Sequence, residues 1–203
     1  MGKPRKPQLP KTLRSQERTQ PQPAAAAPDR AERVRRLVGE AAGLLAAKRP
    51  GEAVAHLTEA VELDPNNVAA AINLGGAYIL QGRHGRATPV LERAAQLEPH
   101  NAQIWANLAA AYLGKLPFST AERQDKAIRA YEKALELDPR AANVHYNLGL
   151  IYLERNDKLR AAAHFYAALE TDPHDRDARR FLDELDRAEA AEPAAPVDAP
   201  SAE

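Results

Sequence analysis

A short string returns along this chain at nearly regular intervals. Leu63-Asp64-Pro65 recurs as Leu97-Glu98-Pro99, Leu137-Asp138-Pro139 and Thr171-Asp172-Pro173, with the prolines 34, 40 and 34 residues apart. A fixed period of this length describes a stack of similar units, none of which buries its apolar face alone. Ahead of each proline lies an apolar stripe: Ala53/Leu57/Ala60, Ala87/Leu91/Ala94, Ala127/Tyr131/Ala134 and Ala161/Phe165/Ala168. Their i, i+4, i+7 spacing puts each trio on one face of a helix. Upstream runs a second stripe, Ala71/Leu74/Gly75/Tyr78, then Trp105/Leu108/Ala109/Tyr112, then His145/Leu148/Gly149/Tyr152. A degenerate copy, Leu37/Glu40/Ala41/Leu44, opens the series.

These stripes and prolines resemble the tetratricopeptide-repeat (TPR) pattern, W-x2-L-G-x2-Y, then A-x3-F, then P. The resemblance covers residues 34–175 in four copies. It implies an all-α, right-handed helical solenoid of four TPR helix-turn-helix repeats, each an antiparallel pair of helices A and B. The repeats run over about 34–67, 68–101, 102–141 and 142–175. In such a stack Ala41, Gly75, Ala109 and Gly149 stand where helix A lies close against helix B, and only a small side chain fits. Tyr78, Tyr112 and Tyr152 fill the gap toward the next repeat. A proline, with fixed φ and no N–H, stops each B helix. Beyond Pro173, residues 175–187 carry Ala178, Phe181, Leu182 and Leu185 on one face and read as a C-terminal capping helix.

The copies also differ. Glu40 and Leu44 replace leucine and tyrosine in the first repeat, which suits a terminal unit with solvent on one side. Pro89 falls early in the second B helix, which is expected to start late or kink. The 40-residue spacing places a six-residue insertion within Gly114–Lys126, between the helices of the third repeat. There Ser119-x-x-Glu122 reads as a capping box. Leu116 and Phe118 beside it either pack on the lengthened helix or form an apolar knob for a partner, a secondary contact site.

Outside residues 30–187 the composition shifts. Residues 1–29 form an arm with six of the 16 prolines and six bases against Glu17 and Asp29. Residues 188–203 are Ala/Pro-rich, with four acids and no base. Neither has enough apolar surface to offset its ordering entropy, so the first is expected to be disordered and the second to be disordered beyond its first few residues. The whole chain has 28 bases and 28 acids, which gives no general argument for nucleic-acid or membrane affinity. The arm could make a weak, salt-sensitive tether to nucleic acid or an acidic surface. There is no cysteine, hence no disulfide and no thiolate site. With no apolar run of spanning length and no secretory h-region, the expected location is cytoplasmic.

Catalytic patterns are missing as well. There is no phosphate-cradling G-x-x-x-x-G-K-[ST] and no nucleophile elbow, and the six histidines form no H-x-H or H-x-x-x-H pair. The reading is therefore no enzyme, no cofactor and no metal site. The expected function is a protein–protein interaction scaffold or adaptor that holds an extended or helical peptide in a concave groove. Its partner is a protein or peptide, with nucleic acid unlikely and no membrane.

The resemblance also locates that groove, on a helix-A stripe beside the buried one. It comprises Arg35/Val38/Gly39/Ala42, Ala69/Ile72/Asn73/Gly76, Gln103/Ala106/Asn107/Ala110 and Asn143/Tyr146/Asn147/Leu150. The candidate peptide-binding residues are Asn73, Asn107, Asn147, Val38, Ile72, Gln103, Asn143, Tyr146 and Leu150. The groove reads as small, mostly apolar and nearly uncharged. The family's carboxylate clamp needs two lysines, an arginine and two asparagines. Here the matching sites are Val38, Ala42, Asn73, Gln103 and Asn107, so the clamp is absent. The asparagine column is similar to ladders that grip a peptide backbone in the family. Asparagine is also the family's commonest residue at that site, so ladder and inherited consensus both stand.

Overall fold

The computed structural model describes residues 29–191, so the proline-rich arm and the last residues of the acidic tail lie outside it. Among the described residues the chain is all-helical: α1 (Arg30–Ala46), α2 (Pro50–Leu63), α3 (Val68–Leu80), α4 (His84–Leu97), α5 (Ala102–Leu113), α6 (Ala121–Leu137), α7 (Val144–Glu154), α8 (Lys158–Thr171) and α9 (Arg176–Ala191). Successive helices pack in pairs, α1 with α2, α3 with α4, α5 with α6 and α7 with α8, and α9 lies on α8. No helix among the described residues is long and apolar enough to cross a membrane.

The close approach within each pair is visible at the small residues. A Cβ on Gly75 would stand 2.5 Å from Leu91 Cγ, and one on Gly149 would stand 2.7 Å from Phe165 Cε1. Ala41 and Ala109 are fully buried at the equivalent places. Each B helix ends at the residue before an Asp-Pro or Glu-Pro step. Asp64, Glu98, Asp138 and Asp172 there adopt φ between −129° and −144°, because the following ring disfavours the helical region. Three of these carboxylates also hold the turn: the backbone N–H groups of Asn66, Arg140 and His174 donate to Asp64, Asp138 and Asp172.

The insertion lengthens both the connection and helix B. Between α5 and α6 the connection is residues 114–120, whereas residues 81–83 suffice between α3 and α4. Helix α6 has 17 residues against 14 in α2, α4 and α8. Its N-cap is Thr120, whose side chain accepts from the Arg123 N–H, and not Ser119 as the capping box suggested. Ser119 is instead buried, with its Oγ unpartnered and its carbonyl accepting from Gln124 Nε2. Phe118 is 82% exposed, so it does not pack on the lengthened helix; Leu116 does join the core beside it.

Two further expectations fail. Helix α4 starts at His84 and not late, with Pro89 inside it as its sixth residue, where the ring offers no N–H to the Gly85 carbonyl. Helix α7 begins only at Val144, and Asn143 sits ahead of it in the left-handed region, at φ 60°. Asparagine tolerates that conformation better than most residues do.

Across repeats, Arg155 bridges the last pair to the third. It donates to Gln124 Oε1 at 2.8 Å and pairs with Asp125 Oδ1 at 2.6 Å.

Candidate functional site

Three clefts open one after another where the turn behind a B helix meets the starts of two neighbouring A helices. The first, of about 310 Å³, is lined by Val68, Ala69, Ile72, Asn73, Glu98, Asn101 and Gln103. The second, about 370 Å³, is formed by Ala102, Gln103, Ala106, Asn107, Asp138, Ala141, Ala142 and Asn143. The third holds Asn143, His145 and Tyr146 together with Thr171, Asp172 and Asp175. Each of these three turns thus places a carboxylate beside the polar residues of the A helices: Glu98, Asp138, then Asp172 and Asp175.

That corrects the reading of an almost uncharged groove. The helix-A stripe taken without the turns omits these acids, and the fold brings the turns against it. The signal is present in the chain, since Asp/Glu-Pro recurs just ahead of α3, α5, α7 and α9.

The predicted residues fare differently. Asn73 and Asn107 are partly exposed, and their side-chain amides make no hydrogen bond with any described residue. Each has one acceptor and two donors to offer. Asn147 is already engaged: its Nδ2 donates to the Asn143 carbonyl at 2.8 Å. Gln103 is exposed and borders both of the first two clefts. Asn143 borders the second and third from the turn, not from helix A.

Ile72 is only 7% exposed and belongs to the core, leaving little of it for a ligand. Val38 packs partly against the first core cluster. Tyr146 and Leu150 pack against the last one, with the Tyr146 ring 6.4 Å from that of Phe181 on α9. Burial, then the carboxylates of Asp177 and Asp175, push the Tyr146 phenol pKa up. Of the secondary candidates, Phe118 projects outward and Leu116 is half-buried.

The histidines hold one surprise. His145 and His164, 19 residues apart, meet with their Nδ1 atoms at 3.2 Å. One Nδ1 must be bare to accept, so at least one ring is neutral. Burial lowers both pKa values; the Pro139 carbonyl and Glu170 partly offset this for His145, and His145 reinforces it for His164. No group of three or more His, Cys, Asp or Glu side chains suited to a metal occurs among the described residues.

Helix pairs of this register, joined by Asp-Pro or Glu-Pro turns, match family models over four stretches that overlap in two pairs. Models described as tetratricopeptide repeat match residues 44–87, 68–111 and 142–175, and one described as TPR repeat matches 121–156. The chain belongs to the tetratricopeptide-repeat family. Its fold is that of TPR solenoids, which in general serve as protein–protein interaction scaffolds and are typically not catalytic. No curated protein matches the sequence.

Solved structures share the fold. PilF of Pseudomonas aeruginosa is 20% identical, with a TM-score of 0.67 over 79% of this chain and 71% of that one. A thermophilic TPR protein of Thermus thermophilus is also 20% identical, with a TM-score of 0.66 over 77% and 82% of the two chains. MamA of Desulfovibrio magneticus RS-1, from residue 41 to its end, is 26% identical, with a TM-score of 0.59 over 70% and 77%.

Proposed function

We propose that this TPR chain is a non-catalytic adaptor that holds an extended peptide along the starts of its A helices. The peptide's backbone meets Asn73 and Asn107, and its Lys or Arg side chains meet Glu98 and Asp138. The observation that carries this reading is the pairing, in two successive clefts, of an uncommitted asparagine amide with a turn carboxylate. An amide that bonds no described residue is free to replace its water with a ligand's peptide group. A carboxylate beside it favours a cation at the same step. Ala69 in the first cleft, and Ala106 and Ala142 in the second, are small enough to let a backbone approach.

The test is isothermal titration of a peptide recovered by pull-down on the full chain. Each neutral hydrogen bond contributes about 0.5–1.5 kcal/mol net, so Asn73→Ala with Asn107→Ala should weaken binding by roughly one to two orders of magnitude. Asn147→Ala should matter less, because that amide already donates to the Asn143 carbonyl. Glu98→Gln with Asp138→Asn should weaken binding most at low salt and flatten its salt dependence. Unchanged affinity in both double variants, with circular dichroism intact, would refute the reading.

A further inference from the structure

Repeats three and four carry the same framework with one ring missing. In repeat four, the His164 imidazole lies flat on the Tyr152 ring, centroids 5.4 Å apart and 2° from parallel, and reaches His145. The equivalent positions in repeat three are Ala130, Tyr112 and Trp105. Alanine there leaves a slot of about 240 Å³, lined by Trp105, Tyr112, Lys126, Arg129 and Ala130. It shares no residue with the three junction clefts.

The polar tips of both aromatic walls are already used. Trp105 Nε1 donates to the Pro99 carbonyl and the Tyr112 hydroxyl to Glu92 Oε1, each at 2.8 Å. What the walls offer an occupant is therefore their faces. Four charged groups stand around the slot. Glu92 is held by Tyr112, and Lys126 and Glu122 pair with each other at 2.9 Å. Arg129 makes no hydrogen bond or ion pair with any described residue. A ring carried by an acidic strand is what such a slot lacks.

We infer that the occupant is a proline ring from the chain's own acidic segment, residues 192–203, docking within the same molecule. That segment has Pro193, Pro196 and Pro200 among Glu192, Asp198 and Glu203, with no base. Proline-rich segments favour aromatic-lined grooves because they bring a ring at little conformational cost. The proline-rich N-terminal arm is the poorer fit, since its six bases would face Arg129 and Lys126. Reach is sufficient. The segment follows Ala191 at the end of α9, and its 12 residues can span up to about 40 Å. Helix α9 packs on α8, α8 on α7 and α7 on α6, which carries Arg129 and Ala130, so α9 and the slot are separated by at most three helix spacings of about 8–10 Å each.

Trp105 is the only tryptophan, so its fluorescence in the full chain reports on the slot alone. Replacing Pro193, Pro196 and Pro200 together by Ala should shift Trp105 emission to the red and increase its quenching by acrylamide. Arg129→Glu should produce a change of the same sign. Ala130→His supplies the ring from within, as repeat four does. In that background the proline substitutions should leave emission and quenching unchanged. Equal emission and quenching in the wild type and the triple-proline variant would overturn the inference. So would a difference that grows with protein concentration, since the segment would then dock on a second copy. Arg129→Glu lies on an exposed helix face, which keeps the test decisive if Ala130→His fails to fold.

Discussion

Gly75 and Gly76 are neighbours in the interior of α3, and alanine at each should have opposite effects. Replacing a helix-interior glycine by alanine gains about 1 kcal/mol from helix propensity, whichever of the two is changed. At Gly76 the new Cβ meets nothing within 4 Å, so that gain should appear whole. At Gly75 it would lie 2.5 Å from Leu91 Cγ, 2.6 Å from Cδ2 and 2.8 Å from Cδ1. Carbon atoms pack at about 3.5–4.0 Å, so Leu91 would have to retreat by about 1 Å. Leu91 is fully buried between α3 and α4 and has no open side to move into.

Overpacking of this kind costs about 1–3 kcal/mol. Gly75→Ala should then be neutral to about 2 kcal/mol destabilised. Because the helix term cancels, the difference between the variants is the packing cost alone. At roughly 2–4 °C per kcal/mol for a domain of this size, the two should melt roughly 2–12 °C apart. The assay is parallel thermal and urea unfolding followed by circular dichroism. Repeat arrays can unfold in parts, so midpoints are compared for the same probe. If Gly75→Ala melted together with Gly76→Ala, the close approach of α3 and α4 would be wrong.

Two other predictions concern the last repeat and the insertion. The folded pKa values of His145 and His164 are depressed, so the stability of the neutral pair is whole above the unfolded value of about 6.5 and is lost as pH falls through the lowered folded values. His164→Phe should reduce the fall in urea midpoint between about pH 7.5 and 5; an undiminished fall would place the acid sensitivity elsewhere, for instance at His84, which is depressed by burial and by Arg123 and Lys115. Phe118→Ser should change stability by less than about 0.5 kcal/mol, whereas Leu116→Ala should cost more, and equal losses in urea titration would mean that Phe118 packs after all.

Some features of the candidate site can be read directly and others only by analogy with the repeat. Asn73 and Asn107 fall on the expected stripe because one residue's place on a regular helix fixes its neighbours at i+3 and i+4. Asn143 escapes that logic: Ala141-Ala142-Asn143 turns instead of starting the helix, and a left-handed residue breaks the phase. Periodicity alone puts Ile72 on the ligand side, but packing against its neighbours buries it in the core. The turn carboxylates stand in plain view as the most regular feature of the chain. Their part in the clefts depends on which face of the turn meets the next helix.

The sequence by itself determined the unit and its repetition. The 34-residue period, the two stripes, the small residue at the close approach and the proline at each exit are local constraints, each satisfied within about one helix pair. The tertiary structure alone decided what distant segments make together. His145 with His164, Arg155 with Asp125 and the slot beside Ala130 depend on helix–helix angles and rotamers, which a one-dimensional pattern does not contain. Ala130 shows the division: its position in the helix is fixed by periodicity, but the missing ring opposite Tyr112 is visible only against the filled copy one repeat later.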